Sequence, residues 1–594
     1  MKRALLVLAL VASALVVAPS ARAHHEPRHI TGYIPVAQGT DKATTLHYQV
    51  LLPDPAVHGD GPYPTVVDYS GYMPAINIYD GLDDRFLAAG YAVAGVNIRG
   101  TGCSGGIFDY FEPVQSTDGA EAIDFLGSQE WSNGKVAMVG KSYPGITQLF
   151  VAAQRPEHLT AIVPGHVFGD LYRDVPFPGG IMNVTFSAGW SAGRLLEMYV
   201  GPQYALENDD QQCMDNQAMH VANPPFNPFV RATYNHYDGP LFHERSPWYF
   251  ADRIAVPTFL VESWQDEQVG SRAVHLIERL APGLPWRMLV TNGDHGEYYG
   301  PDVFPHILEF LDIYMGEDTT DEERAAFEAA DRVRVNWETG AGGGRTPAWS
   351  QTYASWPVPG TSPWRLYLYD DGSMSETPMA PGGGVAYTYA PGIGSQQRGG
   401  ESLQDEPPAS WDDRPADGTS ASFTTAPLDT DKVLLGSASL DLWLSSTAAD
   451  TDLEVTLSEV RPDGSEVFVQ QGWLRASHRR EVPGLSTELR PYQSHLLTDV
   501  EPLVPNQPVE MRVEIFPFGH VFRAGSQVRV TVAAPHVRPD LWGFAALPTP
   551  ARNTIWLGSN IGSSLVLPLV PGTAATPLPP CTLRNQPCRA EVAP

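Results

Sequence analysis

The chain has 594 residues, of which 43% are hydrophobic and 10% aromatic, a composition that is typical of several packed cores and excludes a largely disordered protein. Its formal net charge of -30 repels phosphate backbones and anionic lipids, so nucleic acids and membrane surfaces are excluded as partners.

The N-terminal residues have the pattern of a secretory signal peptide. A basic start, Met-Lys-Arg, is followed by an apolar run over residues 4–18 and by the cleavage pattern Ala-Arg-Ala at 21–23. We therefore expect residues 1–23 to be removed and the protein to be secreted. No later run reaches the roughly 20 apolar residues that span a bilayer, so we expect the mature form to be soluble and free of the membrane.

A zinc-protease pattern, His-Glu-x-x-His, follows at residues 25–29. Its two imidazoles face one metal only when the segment is helical, and Pro27 lies inside the turn that would have to be regular. We interpret this segment as a solvated tail, and we expect neither a metal nor a cofactor.

Short apolar runs alternate with helical patterns from residue 65 to residue 295. The runs at 65–69, 91–98 and 136–139 are typical of buried strands, and residues 118–126 have the pattern of a helix. This alternation predicts a parallel sheet with crossover helices, which is the α/β class.

The strand predicted at 136–139 leads into a Gly-x-Ser turn that looks like a nucleophile elbow. Residues 140–145 read Gly-Lys-Ser-Tyr-Pro-Gly, and the glycines permit the tight turn that presents the Ser142 hydroxyl to a histidine base. The spacing is one residue longer than the common Gly-x-Ser-x-Gly. Ser191 lies in a literal match to that pattern, but no clean buried strand precedes it, so Ser142 is the predicted nucleophile.

Residues 168–249 interrupt the alternation with many aromatic residues, prolines and asparagines. We interpret them as a helical cap inserted over the strand ends. Strand patterns return at 256–261 and 286–290. The sequence thus predicts an α/β-hydrolase catalytic domain built from residues 24–167 and 250–345.

Helical patterning ends at the glycine-rich residues 340–344, and period-two apolar strands separated by turns follow. We predict that residues 346–570 form an all-β jelly-roll sandwich and that 571–594 form a proline-rich tail.

The chain has four cysteines, enough for two disulfides in an exported protein. Cys581 and Cys588 close a short loop in the tail, and we predict that they are bonded. Cys103 and Cys213 are left over, either bonded to each other or as two buried thiols.

A serine hydrolase of this architecture has an acid after a late strand and a histidine after the next strand, in the order Ser, Asp, His. Asp266 follows the strand predicted at 256–261, and His295 follows the next one. His295 would be the general base toward Ser142, and Asp266 would orient its imidazole. Three other carboxylates stay open as the acid: Glu262, Glu267 and Asp294.

Five motifs of this chain carry a resemblance to a known family. They are Asn-Ile-Arg-Gly-Thr-Gly-Cys-Ser-Gly-Gly at 97–106, Trp-Ser-Asn-Gly-Lys-Val at 131–136, the elbow at 140–148, Asp-Thr-Asp-Leu at 450–453 and Gly-Trp-Leu-Arg-Ala-Ser at 472–477. With them the chain resembles the CocE/NonD family of serine hydrolases over nearly its whole mature length. That family contains cocaine esterase-like acyl esterases, α-amino-acid ester hydrolases and X-Pro dipeptidyl-peptidases.

The resemblance implies roles for individual residues. The catalytic set it implies is Ser142, Asp266 and His295. The family's oxyanion hole combines the backbone N–H after the nucleophile, here that of Tyr143, with a tyrosine hydroxyl from an early strand-end loop. Tyr72 is the expected tyrosine because it lies past the strand, and Tyr69 is the alternative.

Family members that act on amino-acid derivatives need carboxylates that hold a substrate ammonium. Asp170 and Asp174 lie near the predicted cap entrance and are the candidate substrate-binding residues, although Arg173 between them would serve equally as their salt-bridge partner.

We therefore predict a secreted, metal-independent serine hydrolase that cleaves small-molecule esters or amides, short peptides included, through an acyl-enzyme. Acyl esterase is the first choice, and X-Pro dipeptidyl-peptidase or α-amino-acid ester hydrolase is the alternative. A non-catalytic carbohydrate- or surface-binding protein is the alternative from another class. The oligomeric state stays open.

Overall fold

The computed structural model describes residues 28–72, 82–197, 205–224, 227–340, 345–378, 382–391, 411, 414–536, 542–558, 562–581 and 583–590. The predicted signal peptide lies outside these residues. Of the His-Glu-x-x-His pattern, Arg28 and His29 are described, and both lie in a β-strand rather than a helix. The His29 imidazole hydrogen-bonds the Gln49 amide oxygen at 3.1 Å. Among the described residues, no helix is long and apolar enough to cross a bilayer.

The first sheet has ten strands in the order β1-β2-β4-β3-β5-β6-β7-β8-β9-β10. The pairs from β4 through β3 and β5 to β9 are parallel, while β1, β2 and β10 are antiparallel to their neighbours. The strands are β1 Arg28–Val36, β2 Thr44–Leu52, β3 Tyr63–Ser70, β4 Ala92–Asn97, β5 Ser132–Lys141, β6 Leu159–Gly165, β7 Thr258–Ser263, β8 Trp286–Thr291, β9 Val333–Trp337 and β10 Trp349–Tyr353.

The apolar runs of the sequence correspond to strands that are buried on both faces. In β3, Val66 faces one core and Val67 the other, and in β5, Met138 lies on the opposite face from Val139. Continuous apolar runs are expected where helices cover both faces of a parallel sheet. The predicted α/β-hydrolase architecture is confirmed.

Helices cover this sheet and form the insertion between β6 and β7. Those that flank the sheet are α1 Pro55–His58, α2 Leu82–Ala88, α3 Pro113–Gly127, α4 Tyr143–Ala152, α10 Phe304–Met315 and α11 Asp321–Ala329. The helices of the insertion are α5 Leu171–Asp174, α6 Val184–Glu197, α7 Gln211–Ala222, α8 Pro228–Tyr234 and α9 Pro240–His243. A disulfide between Cys103, in the loop after β4, and Cys213, in α7, ties the insertion to the catalytic domain.

The second sheet has twelve strands, with its own apolar core. They are β11 Ser362–Leu368, β12 Ser373–Ser375, β13 Gly384–Tyr389, β14 Ser420–Thr425, β15 Lys432–Ser446, β16 Asp452–Val460, β17 Ser465–Arg475, β18 Val509–Phe522, β19 Gln527–Ala533, β20 Ala551–Trp556, β21 Ser564–Leu569 and β22 Cys588–Ala590. The C-terminal β domain is therefore as predicted in class.

Strand β10 and part of the proline-rich tail differ in location from the predicted domain organisation. Strand β10 pairs with β9 in the first sheet, although residues from 346 onward are predicted in the β domain. In the proline-rich tail, Cys588–Ala590 pairs with β17, and Cys581 is bonded to Cys588. These described residues of the tail are thus folded against the body of the protein.

Candidate active site

Ser142 lies between β5 and α4 in a strained turn. Its φ of 60° and ψ of -130° are rare for a residue with a side chain, and its backbone N–H donates to the Gly165 carbonyl at 2.9 Å. A Cβ at Gly140 would lie 2.9 Å from the Pro144 side chain, and one at Gly145 would lie 2.5 Å from the Gly165 oxygen. Both glycines are therefore required, and the longer spacing works because Gly145 packs directly on the end of β6.

Asp266 and His295 meet at the carboxyl ends of β7 and β8. The His295 Nδ1–H donates to Asp266 Oδ2 at 2.7 Å, and Asp266 Oδ1 accepts the N–H groups of Gln268 and Val269 at 2.8 and 3.0 Å. Burial pushes the pKa of Asp266 up, but the charge of His295 and the hydrogen bonds from its imidazole neighbours outweigh it and hold this pKa well below its usual range. His295 Nε2 is buried without a partner among the described residues.

The three alternative carboxylates have other partners. Glu262 accepts the Val167 N–H at 3.0 Å, and Glu267 accepts the backbone N–H of His295 at 3.1 Å. Asp294 forms an ion pair with Arg584 at 2.7 Å. The geometry therefore favours Asp266 as the carboxylate that orients the imidazole of His295.

A second histidine, which sequence reasoning missed, shares the same carboxylate oxygen. The His166 Nδ1–H donates to Asp266 Oδ2 at 2.9 Å, and the His166 side chain is fully buried. The ligand atoms of His166, Asp266 and His295 lie within 4.8 Å of one another, but contacts of 2.7 and 2.9 Å have the length of N–H···O hydrogen bonds. The available sequence signal is its place directly after β6, at the sheet edge where the other site residues lie.

Of the two candidate tyrosines, Tyr72 reaches Ser142. Its Oη lies 3.0 Å from Ser142 Oγ, and the Asn97 amide donates to the Tyr72 carbonyl at 3.0 Å, which anchors this loop. The hydroxyl of Tyr69 donates instead to the Gln115 carbonyl at 3.0 Å. Tyr143 is the first residue of α4, so its N–H has no acceptor within the helix and is available beside Ser142.

Two family models match the chain in succession. That of the X-Pro dipeptidyl-peptidase (S15 family) matches residues 41–297, and that of the X-Pro dipeptidyl-peptidase C-terminal non-catalytic domain matches 325–537. A protein of Mycobacterium bovis named as a serine esterase is 26% identical over 553 residues, which cover 82% of this chain and 84% of that protein. The chain belongs to the CocE/NonD family of serine hydrolases. It is therefore an enzyme that acts on ester or peptide bonds.

Two other proteins are also similar to this chain. The cocaine esterase of a Rhodococcus strain is 25% identical over 451 residues, which cover 67% of this chain and 75% of that enzyme. A CocE/NonD hydrolase from Staphylococcus aureus superposes with a TM-score of 0.71 at 20% identity, covering 91% of this chain and 93% of that structure. This structural likeness supports the shared fold.

In this CocE/NonD enzyme, Ser191 lacks the setting of a nucleophile. It lies within α6, and its hydroxyl donates to the Ser187 carbonyl one turn earlier at 2.5 Å. No strand leads into it, since α6 extends from Val184. The geometry thus favours Ser142.

Ser142 opens into a cavity of about 110 Å³ between the catalytic domain and the cap of the CocE/NonD fold. Aromatic and aliphatic side chains dominate its wall, among them Phe111, Ile146, Phe168, Phe186, Trp190 and Phe242. Among the described residues that line it, the one carboxylate is Asp109, and this is paired with Arg231 at 2.6 Å and Arg245 at 3.1 Å.

The candidate substrate-binding carboxylates lie elsewhere in this CocE/NonD enzyme. Asp170 pairs with Arg173 at 2.7 Å, and Asp174 pairs with Arg272 at 2.7 Å, all four side chains being buried. Burial raises the pKa of Asp174 to about 6. Neither aspartate is among the described residues that line the Ser142 cavity. Their partners favour the salt-bridge interpretation that the sequence left open.

The tail disulfide loop, residues 581–588, contacts the loop that carries His295. The Arg584 guanidinium pairs with Asp294 at 2.7 Å and also with Glu297, so it holds a carboxylate on each side of His295. The Asn585 amide donates to the Gln265 carbonyl, next to Asp266, at 2.6 Å. The C-terminal segment of this CocE/NonD enzyme therefore contacts and stabilises both the loop that carries Asp266 and the loop that carries His295.

Proposed function

We propose that the protein is an exported acyl esterase that hydrolyses esters of apolar carboxylic acids through an acyl-enzyme on Ser142. The observation that carries the proposal is the placement of Ser142: its strained turn exposes the hydroxyl to an apolar cavity, 3.0 Å from the Tyr72 hydroxyl. An apolar acyl chain would replace water in that cavity, which favours binding by the hydrophobic effect.

In the proposed reaction, His295 Nε2 takes the Ser142 Oγ proton as the oxygen attacks the ester carbonyl. The Tyr72 hydroxyl and the Tyr143 N–H stabilise the negative charge on the former carbonyl oxygen. The intermediate collapses as His295 gives its proton to the departing alcohol. A water molecule then repeats the attack with His295 as base, which releases the carboxylic acid and restores Ser142.

The electrostatics of the cavity support an ester substrate rather than a peptide with a free amino terminus. An ammonium group in an apolar cavity needs an unpaired carboxylate, because burying an unpaired charge is costly. Asp109 already has two arginine partners, and Asp170 and Asp174 have their own. The wall therefore suits a neutral acyl group.

Export is supported by the signal-peptide pattern at residues 1–23 and by two disulfides, Cys103–Cys213 and Cys581–Cys588, which persist in oxidising compartments. Expression in a host that exports the chain should yield protein in the medium that begins at His24. Protein that stays inside the cell with residues 1–23 intact would contradict this part of the proposal.

The activity is tested with p-nitrophenyl butyrate, p-nitrophenyl benzoate and Ala-Pro p-nitroanilide on the wild type, Ser142→Ala and Ser191→Ala. We expect ester hydrolysis by the wild type and by Ser191→Ala, a loss of at least about 10⁴-fold in Ser142→Ala, and negligible cleavage of the anilide. Ester activity that survives in Ser142→Ala would overturn the assignment of the nucleophile. Efficient anilide cleavage would instead show an X-Pro dipeptidyl-peptidase.

A further inference from the structure

His166 places a second imidazole on the proposed catalytic carboxylate. It follows β6 directly, and its N–H donates to the Val261 carbonyl of β7 at 2.9 Å, so its backbone is fixed between two central strands. From there its Nδ1 lies 2.9 Å from Asp266 Oδ2, the same oxygen that accepts the His295 Nδ1–H at 2.7 Å. The reaction described above makes no use of this group.

The backbone of His166 is strained. Its φ is 49°, in the left-handed region, which is unfavourable for a residue with a side chain and favours glycine. The residue before it is Gly165, which accepts the Ser142 N–H. A strained, buried polar side chain at such a position is a reason to look for a function.

The hydrogen-bond chemistry defines what His166 does to Asp266. An ionised carboxylate only accepts, so both imidazoles must donate from Nδ1. Together with the N–H groups of Gln268 and Val269, they give the carboxylate four donors. This fixes the plane of the carboxylate, and with it the orientation of the His295 ring.

Burial disfavours the protonated form of the His166 imidazole. Asp266 contacts it from the loop after β7, His295 faces it from the loop after β8, and Lys141 faces it from the end of β5. Glu262 of β7 accepts the N–H of the next residue, Val167. Burial lowers the pKa of His166, an effect that the Asp266 charge only partly offsets. Its Nε2 is buried without a partner among the described residues, so a second proton there would have no acceptor.

We propose that His166 is a positioning residue that acts through Asp266: its Nδ1–H donor holds the carboxylate against His295 and withdraws part of its negative charge. The proposal rests on the proposed role of the Asp266 and His295 pair. Without the His166 donor, Asp266 would carry more negative charge and would stabilise the imidazolium form of His295 more strongly. His295 would then hold its proton to higher pH and lose it less readily to the leaving alcohol.

The test compares His166→Leu, which removes the donor, with His166→Asn, whose side-chain amide can donate from nearly the position of Nδ1. The pH dependence of kcat/KM for p-nitrophenyl butyrate is measured from pH 5 to 9, with kcat and KM at the optimum. For His166→Leu we expect a fall in kcat of about 10-fold, KM within about 2-fold, and an acid limb displaced upward by about 0.5 pH unit or more. For His166→Asn we expect the wild-type limb and kcat within about 3-fold.

A His166→Leu enzyme with the wild-type acid limb would overturn the proposal whatever its kcat, because a merely structural residue changes the rate without moving that limb. An equal upward displacement of the acid limb in His166→Leu and His166→Asn would also overturn the proposal, because the hydrogen-bond donor would then have no effect on that limb. His166→Gly, which accepts a φ of 49° without strain, replaces the leucine variant if that protein does not fold. Two separate measurements test the nucleophile: the loss of activity in Ser142→Ala, and the labelling of Ser142 by an organophosphonate in the wild type. Failure of the proposed nucleophile is therefore distinguishable from failure of this inference.

Discussion

Replacing Tyr72 by phenylalanine tests the proposed oxyanion hole with the smallest change available. The substitution removes one hydroxyl, whose oxygen lies 3.0 Å from Ser142 Oγ. It keeps the ring, which packs edge-on against Tyr143 with centroids 5.7 Å apart and lies under the Arg194 guanidinium at 4.3 Å. The shape of the site is therefore preserved while one donor is lost.

The expected loss follows from where charge develops. An oxyanion donor acts mainly in the transition state, and its removal typically costs about 10²- to 10³-fold in kcat, or about 2.7 to 4 kcal/mol. Because Tyr143 N–H remains as a second donor, we expect the lower end, about 100-fold. The substrate in its ground state gains little from this donor, so KM should stay within about 3-fold.

The measurement is steady-state hydrolysis of p-nitrophenyl butyrate over a full concentration range. Tyr69→Phe is the matched control: its hydroxyl donates to the Gln115 carbonyl and does not contact Ser142. That variant should lose about 1 kcal/mol of stability, since one buried hydrogen bond is removed, yet keep kcat within about 3-fold. A loss below about 3-fold in Tyr72→Phe, or a loss in Tyr69→Phe as large as that in Tyr72→Phe, would refute the assignment.

Two further predictions concern buried carboxylates. Arg584→Gln leaves Asp294 and Glu297 without their cation, so we expect a loss of about 3 kcal/mol in the free energy of unfolding and a lower kcat. Arg480→Gln is the control, because it removes an exposed ion pair and should cost less than about 1 kcal/mol. Identical unfolding curves for the two variants would contradict this prediction. Burial raises the pKa of Glu454 to about 8, so its contribution to stability is present below about pH 4.5 and lost as the pH rises through 8. Glu454→Gln should therefore match the wild type near pH 5 and exceed it by roughly 2 kcal/mol or more at pH 9, as followed by thermal unfolding at each pH; a pH-independent difference would count against this titration.

Patterns that depend on local structure could be predicted from the sequence. The apolar runs at 65–69 and 136–139 indicate strands because both faces of β3 and β5 are buried. The Ser142 turn can be recognised because Gly140 and Gly145 each leave no room for a Cβ. The membership in a hydrolase family then favours an enzyme over a non-catalytic binding protein.

Contacts between distant parts of the chain could not be predicted in the same way. His166 is separated from Asp266 by 100 positions, and nothing around it in the sequence indicates a shared carboxylate. Asp174 forms its ion pair with Arg272, 98 positions away, rather than with the adjacent Arg173. The pairing of Cys103 with Cys213 spans 110 positions and likewise depends on how the cap folds back over the catalytic domain.

The contact between Arg584 and the His295 loop has a consequence for how the enzyme can be divided. Arg584 follows Glu297 by 287 positions, so the support of this loop has a very high sequence separation and forms only when the C-terminal segment has docked. A fragment that ends near residue 345 would contain Ser142, Asp266 and His295 and still lack the cation that holds the last of these in place. Domain exchange or truncation within this fold should therefore carry the disulfide loop along with the catalytic domain.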